Sequence, residues 1–286
     1  MTIQNNPLKQ YFRRPSIYLK LPSGGKLYPP GVVNIPESGE LPVFPMTAID
    51  EISAKTPDAL YNGTAMADII RSCIPDIKDP WSINSIDLDA VLIAIRSAAG
   101  GNDMSISSEC PSCKEVADYG VNLVGILSQL KAADYDKELT INDLSIKFRP
   151  LSYKEMNEAG TTQLEAQRIF LMLEKEENEA LRASKTQEAL KFITDVTMKI
   201  LSQTITHIRT PSAFVEEREY ILDFLKNCDR DTYISIRDYN SQLKAQTEIK
   251  PLKIRCIHCQ NEYDQPFTVN TSDFFGGSFY TLTTRV

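Results

Sequence analysis

The spacing of hydrophobic residues changes along the chain and divides it into segments. Residues 17–21 alternate between apolar and polar side chains, which predicts a short strand, and a turn-forming Pro-Ser-Gly-Gly sequence follows. From residue 46 the apolar positions recur with helical spacing until Gly100-Gly101 ends the pattern. Within this stretch, Thr47 and Thr56-Pro57 are typical helix starts. Residues 46–101 are therefore predicted to form a helical unit.

Strand-like patterns return at two places, and each place surrounds a pair of cysteines. Residues 104–107 and 117–121 are expected to be strands on either side of the first pair. Residues 249–255 and 262–269 flank the second pair in the same way. Each cysteine pair is thus predicted to lie at the tip of a β-hairpin.

The long segment between the cysteine pairs is predicted to be mostly helical. A short helix over 123–131 and a strand around 139–148 come first. Four longer helices follow; three have a recognisable start, and the one near Thr186 is predicted from the spacing of its apolar residues. These helices are expected from a Ser152–Glu155 capping box to about Glu177, from Thr186 through Ile200, from Thr210-Pro211 through Leu225, and from Asp229 to near Leu243.

Charge is distributed unevenly along the 286-residue chain. Lysine and arginine number 31 against 38 aspartate and glutamate, so the formal net charge is −7. This acidic total argues against a protein whose whole surface binds nucleic acid. Residues 1–30, however, hold five basic and no acidic residues, so the rest of the chain carries −12. Because Tyr11, Phe12 and Tyr18 are interleaved with these cations, we expect an arm that lies on the acidic body or on a neighbouring subunit. Stacking on nucleic acid is the alternative.

Two C-x-x-C motifs carry the clearest chemistry in the sequence. Cys110 and Cys113, and likewise Cys256 and Cys259, place two thiolates at the spacing of a metal-binding turn. We predict one structural zinc held by all four, although 142 residues separate the motifs. Iron in the same site, or two unrelated thiol pairs, are the alternatives. A redox role is weaker, because thioredoxin-like motifs begin a helix, whereas strand-like sequence flanks both pairs here.

The patterns and the predicted metal site together indicate an α+β fold that is mainly helical. It contains a zinc-ribbon-like pair of β-hairpins and an extended N-terminal arm. The predicted domains are an extended basic and Pro-rich arm (1–45), a helical unit (46–101), a zinc-ribbon-like module (102–122 with 246–272), a helical insertion (123–245) and an aromatic C-terminal tail (273–286).

The remaining residues offer no catalytic constellation. Cys73 and Cys228 have apolar neighbours, which predicts buried and inert thiols. The chain has only two histidines, which is little material for Ser-His-Asp or Cys-His catalysis. His207 has no nucleophile nearby, and His258 lies inside the second cysteine motif, where we expect a surface or supporting group and not a metal ligand. Gly24-Gly25-Lys26 lacks the remaining residues of a phosphate-binding loop. We see no secretory signal and no apolar stretch long enough for a membrane span, so we expect a reducing cytosol.

Several short motifs occur in a fixed order along residues 17–125. They are Leu21–Tyr28, Pro45–Glu51, Thr56–Leu60, Ile74–Asp76 and Asp87–Asp89, followed by the first cysteine pair, with the second pair near the end. This order resembles the baseplate hub proteins of contractile-tailed, T-even-type bacteriophages. The resemblance implies a non-enzymatic virion or assembly protein that contacts other baseplate and tail proteins. It also implies a location in the tail baseplate, and in the host cytoplasm during assembly.

A zinc-ribbon regulator that binds nucleic acid is the alternative function. Within six residues of the four cysteines, however, there are four basic and five acidic side chains, which is no electrostatic footprint for phosphate. Nucleic acid is therefore disfavoured as a partner. The sequence leaves open whether the protein is a permanent hub component or a transient assembly factor.

Overall fold

The computed structural model describes residues 7–54, 63–173, 178–267 and 269. The described residues have the predicted α+β class, with helices predominating over small antiparallel sheets. They form two compact units. Unit 1 comprises residues 1–80, 87–130 and 249–286, and unit 2 comprises residues 81–86 and 131–248. In chain order, most of unit 2 is therefore inserted into unit 1.

Unit 1 begins with a single turn of 3₁₀ helix and two short paired strands. The turn spans Pro7–Tyr11, and strands β1 (Ile17–Leu19) and β2 (Leu41–Val43) pair antiparallel. The inward side chains of both strands are buried, including Leu19 and Val43. The alternating pattern predicted β1, whereas β2 went unpredicted because proline at position 42 is unusual inside a strand.

Three helices contribute to the core of unit 1. They are α1 (Ala48–Ala54), α2 (Thr64–Cys73) and α3 (Ser85–Gly100), of which α3 belongs to unit 1 from Asp87 onward. Helix α1 packs against α2. Residues 90–95 of α3 are all buried. This stretch is apolar on every side, which is typical of a helix enclosed by the rest of its domain.

A buried carboxylate fixes the turn that follows β1. The side chain of Asp87 accepts a hydrogen bond from the Ser23 backbone N–H (2.8 Å), and its second oxygen accepts one from the Tyr28 hydroxyl (2.7 Å). The Ser23 hydroxyl donates to the same carboxylate. At Gly25 φ is +75°, and an added Cβ would meet Cδ1 of Ile35, so glycine is required there. This turn is therefore a fixed part of unit 1, which is more structure than the predicted extended arm implies.

Two β-hairpins complete unit 1. Strands β3 (Asp103–Glu109) and β4 (Val116–Asn122) form the first, and helix α4 (Leu123–Gln129) follows directly, two residues shorter than predicted. The Asn122 side chain accepts a hydrogen bond from the Gly125 N–H (2.7 Å) and so begins α4.

The second hairpin of unit 1 lies near the other end of the chain. It pairs β9 (Leu252–Arg255), whose Ile254 is buried, with β10 (Glu262–Gln265). Both hairpins were predicted from the strand-like sequence around the cysteines.

Unit 2 combines a four-stranded antiparallel sheet with four helices. The strand order is sequential, and the strands are β5 (Glu138–Ile141), β6 (Leu144–Phe148), β7 (Ile205–Arg209) and β8 (Phe214–Val215). The helices are α5 (Tyr153–Leu173), α6 (Glu179–Gln203), α7 (Arg218–Asn227) and α8 (Arg230–Thr247). One hydrophobic core joins the sheet to α6, α7 and α8 and includes the fully buried Phe148, Ile205, Ile221 and Ile236. Helix α5 packs against α6.

Two predicted helix starts in unit 2 are confirmed. At the start of α5, Ser152 and Glu155 form the expected capping box, because each side chain accepts the other's backbone N–H. At the start of α8, Asp229 accepts hydrogen bonds from the N–H groups of Asp231 and Thr232. In both helices the capping side chain accepts hydrogen bonds from backbone N–H groups of the first turn, which have no partner within the helix.

Other predictions in unit 2 need correction. The single strand expected over 139–148 is a hairpin, and its turn places Asn142 in the left-handed region at φ 51°. The helix expected from Thr210 begins instead at Arg218. The Thr210 hydroxyl caps a tight turn by accepting the Ala213 N–H (2.8 Å), and this turn connects β7 to β8. The helix expected from Thr186 begins earlier, at Glu179.

Some predictions fall on other parts of the chain. The aromatic tail (273–286), the helix start at Thr56-Pro57 and the helix end at Glu177 lie outside the described residues. The domain boundaries remain a prediction. No helix among the described residues combines the length and apolarity that crossing a membrane requires.

Candidate metal centre

Both cysteine pairs lie in the connections of the two hairpins of unit 1. Residues 110–115 connect β3 to β4, and residues 256–261 connect β9 to β10. The prediction that each pair occupies a hairpin tip is confirmed. Neither pair begins a helix, so the geometry gives no support to a thioredoxin-like redox motif.

The two turns have the same backbone hydrogen bonds. In the first, the Cys110 N–H donates to the Glu115 carbonyl (3.0 Å), and the Lys114 N–H donates to the Cys110 carbonyl (2.9 Å). These bonds fold the segment so that both thiols point to its inner side. The same two bonds recur in the second turn, from Cys256 to Asn261 (2.9 Å) and from Gln260 to Cys256 (3.0 Å).

The residue after the second cysteine of each turn has an unusual conformation. Lys114 has φ 64° and Gln260 has φ 60°, both in the left-handed region that favours glycine. With Asn142, they are the three non-glycine residues with positive φ in the part of the chain that the structure describes. This feature could not be predicted from the sequence, because neither position carries glycine or asparagine.

The two turns bring all four sulfur atoms together. The Sγ atoms lie within 4.8 Å of one another, with Cys110 to Cys259 at 3.6 Å and Cys113 to Cys256 at 3.7 Å. Both distances are far longer than the ~2.05 Å of a disulfide bond, and all four thiols are free. Each close pair takes one cysteine from each turn, so the two turns form one cluster.

These distances fit a single tetrahedral metal ion. Zinc–thiolate bonds are about 2.3 Å long, and four of them at tetrahedral angles place neighbouring sulfurs about 3.8 Å apart. Four thiolates in this arrangement suit Zn²⁺ or a single iron. Cys110 and Cys256 are buried, Cys113 is partly buried and Cys259 is exposed, so the cluster lies at the edge of unit 1.

Backbone donors favour the thiolate form at one cysteine of each turn. The N–H groups of Cys259 and His258 donate to Cys256 and lower its thiol pKa to about 6, although burial opposes them. The backbone N–H of Cys113 lowers the pKa of the Cys110 thiol in the same way. These donors hold negative charge on the inner side of the cluster, where a cation would be bound.

Cys113 has the opposite tendency. The Glu115 N–H lowers the pKa of the Cys113 thiol, but burial and the neighbouring sulfurs outweigh it and raise that pKa to about 12. Four thiolates so close together repel one another. Full ionisation of the cluster therefore requires a bound cation, which is the behaviour expected of metal ligands.

A set of polar side chains joins the two hairpins beside the cluster. The Ser108 hydroxyl on β3 donates to Oε1 of Gln265 on β10 (2.6 Å) and lies 2.9 Å from the Tyr263 hydroxyl. Tyr119 on β4 lies nearby, and burial together with the Tyr263 hydroxyl raises its pKa to about 12. These residues were not among those predicted from the sequence. Their only signal is a polar side chain at alternate strand positions next to a metal motif.

The other singled-out residues lie apart from the cluster. Cys73 is fully buried in α2, and burial raises its pKa to about 12, as expected for an inert thiol. Burial also raises the pKa of Cys228 in unit 2. His207 lies on β7, 3.5 Å from the Glu138 carboxylate, and His258 is exposed within the second turn. The structure therefore brings together the four predicted metal ligands without either histidine.

Comparison with known proteins identifies the family. The sequence matches the family model described as T4 bacteriophage base plate protein over residues 15–276. Comparisons with curated proteins and with solved structures found no match. The matched range covers all of unit 2, most of unit 1 and all four cysteines of the cluster. The chain therefore belongs to the T4 bacteriophage base plate protein family, which makes it a structural protein of the phage tail whose partners are other tail proteins.

Proposed function

We propose that this protein is a non-enzymatic component or assembly factor of the baseplate hub. It docks to other tail proteins, in the virion and in the host cytoplasm during assembly, and one zinc ion on Cys110, Cys113, Cys256 and Cys259 stabilises it. The observation that supports the zinc site is the convergence of four free sulfurs from two equivalent turns. In this proposal the two hairpins act as a zinc-ribbon-like module whose halves are separated by 142 residues.

A closed site suits a structural role. Four protein ligands leave no position at the metal for water or substrate, whereas catalytic zinc sites keep one open. The polar contacts between Ser108 and β10 support the same arrangement from one side. The metal would thus hold two hairpins together across a small core that has little apolar area of its own.

The charges around the cluster favour a protein partner over nucleic acid. On the second hairpin, Lys253 lies directly opposite Asp264, and Arg255 lies opposite Glu262. On the first, the Lys114 ammonium is 3.9 Å from the Glu109 carboxylate. Neighbouring opposite charges cancel at a distance, so this surface has no basic field to attract phosphates.

The experiment that tests the hub role is quantitative mass spectrometry of purified virions and of baseplate intermediates. A hub component should be found in both samples at a fixed ratio to other baseplate proteins. An assembly factor should be found only in the intermediates. Absence from both samples would contradict the proposal.

A further inference from the structure

The N-terminal segment of unit 1 presents large side chains to solvent. Tyr11 is 77% exposed, Phe12 57% and Tyr18 62%. Lys9, Arg14 and Lys20 lie between and beside them and are also exposed. We call these six residues the basic–aromatic strip. Tyrosine, phenylalanine and arginine are enriched where proteins bind other proteins.

The strip is held in place by a residue that is not part of it. The Arg13 guanidinium donates to the Pro45 carbonyl (2.5 Å) and, from its other nitrogen, to the Ser72 carbonyl and hydroxyl (both 2.8 Å). It also lies 3.5 Å from the Asp50 carboxylate, whose side chain is 10% exposed. Arg13 thus ties the segment to the loop before α1 and to the end of α2.

The second half of the strip is fixed by strand pairing. The Ser16 N–H donates to the Val43 carbonyl (3.0 Å), and β1 continues the pairing with β2. Because side chains alternate along an extended segment, Leu19 and Leu21 are buried while Tyr18 and Lys20 face solvent. The exposed aromatic groups therefore sit on a pre-ordered backbone, which lowers the entropic cost of binding a partner.

The positive charge of the basic–aromatic strip indicates what kind of surface a partner must have. Residues 1–30 contain no acidic side chain, and Lys9, Arg14 and Lys20 form no ion pair with any acidic group in the described ranges. A partner surface that buries the three aromatic rings must also approach these three cations. It therefore needs acidic side chains around an apolar centre.

We propose that the basic–aromatic strip is the docking surface for an acidic, partly apolar surface of a different tail protein. A two-fold contact between copies would place like charges together, and a head-to-tail contact would form rings or filaments. Nucleic acid is disfavoured because three cations on a chain of net charge −7 make a weak phosphate site. This inference rests on the proposed function, since it requires tail proteins as neighbours.

The test is site-specific crosslinking in assembled tails. The photoreactive residue p-benzoylphenylalanine replaces Tyr11, and tails and baseplate intermediates are irradiated. We expect an adduct with another tail protein, at a peptide that contains aspartate or glutamate. The double variant Lys9→Glu, Lys20→Glu should reduce the adduct by on the order of tenfold or more. The matched variant Lys191→Glu, Lys199→Glu, on exposed positions of α6, changes the net charge equally and should leave the adduct unchanged.

The possible failures are distinguishable. If the chain is present in tails or intermediates but residue 11 gives no adduct, the docking surface is overturned and the proposed function stands. An adduct with a second copy, with nucleic acid or only within the chain also overturns it, as does an adduct that resists charge reversal. Absence of the chain from tails and intermediates overturns both proposals. Equal thermal unfolding midpoints for the two double variants establish that both are folded.

Discussion

The raised pKa of the Cys113 thiol indicates that a cation would stabilise the ionised four-cysteine cluster. Its thiol has a pKa near 12, whereas the Cys256 thiol has a pKa near 6, although their sulfurs are only 3.7 Å apart. Without metal, these surroundings therefore favour the thiolate at Cys256 and the protonated thiol at Cys113. A bound divalent ion would displace that proton and neutralise the charge that the neighbouring sulfurs share.

Substitution of a single ligand should remove the metal and destabilise unit 1. We expect Cys113→Ser or Cys256→Ser to abolish stoichiometric metal and to lower the free energy of unfolding by roughly 3–5 kcal/mol, because loss of a structural metal belongs to the most costly changes. Cys228→Ser, outside the cluster, is the control and should retain the metal. Metal analysis and chemical denaturation measure both effects. Full metal content in either ligand variant would contradict the assignment.

Metal affinity should depend on pH in a defined direction. Because the Cys113 thiol is protonated at neutral pH and must lose its proton to bind, affinity should fall as pH falls. Each proton released contributes about a tenfold change per pH unit. Competition with a chromophoric chelator between pH 6.5 and 8 measures the slope. A flat profile would mean that the thiols of the cluster are not the ligands.

Glycine should stabilise the protein at Lys114 and Gln260, the two positions in the cysteine turns whose backbone is in the left-handed region. Lys114→Gly and Gln260→Gly should each raise the free energy of unfolding by about 0.5–1 kcal/mol, because a side chain at positive φ is strained. Lys253→Gly, in the extended strand β9, should lower it by a similar amount. Thermal unfolding of the metal-loaded protein is the measurement. Destabilisation by glycine at position 114 or 260 would contradict the turn geometry.

At the scale of elements, local signals predicted the helix starts that side chains determine. Ser152 with Glu155, and Asp229, cap helices as expected, because a cap is decided within four residues of sequence. Thr210-Pro211 carries an equally good local signal but forms a hairpin turn. The Thr210 hydroxyl caps that turn. The ring of Phe214 in β8 packs against the ring of His207 in β7, with ring centroids 4.4 Å apart. Residues 214–215 form a strand because they pair with β7, and such pairing between strands cannot be predicted from the local sequence.

The capping box of α5 should lose its effect in acid. Burial opposes ionisation of Glu155, but hydrogen bonds from Arg149 and Ser152 outweigh it and lower its pKa below the ordinary 4.5. The ionised side chain thus stabilises unit 2 fully above that ordinary pKa, and its contribution is lost as pH falls through the lowered value. Glu155→Gln should therefore cost about 1–3 kcal/mol at pH 7 and progressively less below pH 4.5.

Trp81, the only tryptophan of the chain, provides the signal for this measurement. Its ring stacks on Tyr153, the first residue of α5, with centroids 5.1 Å apart. Urea unfolding followed by tryptophan fluorescence therefore reports on the region of the cap. Glu158→Gln, at an exposed position of the same helix, should change stability by less than about 0.5 kcal/mol. A Glu155→Gln deficit that persists unchanged in acid would contradict the proposed charge effect.

At the scale of the whole molecule, the four-cysteine cluster depends on how the chain passes from unit 1 into unit 2 and back. The spacing within each C-x-x-C motif identified all four cysteines. Their convergence could only be inferred, because it depends on unit 2 being inserted between β4 and β9 and on the chain returning to unit 1. The Ser108 contacts to Tyr263 and Gln265 depend on that return as well. A bound metal would close a loop of 142 residues. Because the entropic cost of closing a loop rises with its length, a link across so long a loop is expected to stabilise the fold more than one across a short loop.

Metal content of the intact chain decides whether the four cysteines form a zinc site. The protein is purified under reducing conditions without chelator and analysed by native mass spectrometry together with elemental analysis. We expect about one zinc per chain and four unmodified cysteines, with the metal lost in Cys256→Ser and kept in Cys228→Ser. A chain that binds no zinc or iron while its thiols are reduced, or one that contains a disulfide between Cys110 and Cys259, would contradict this expectation.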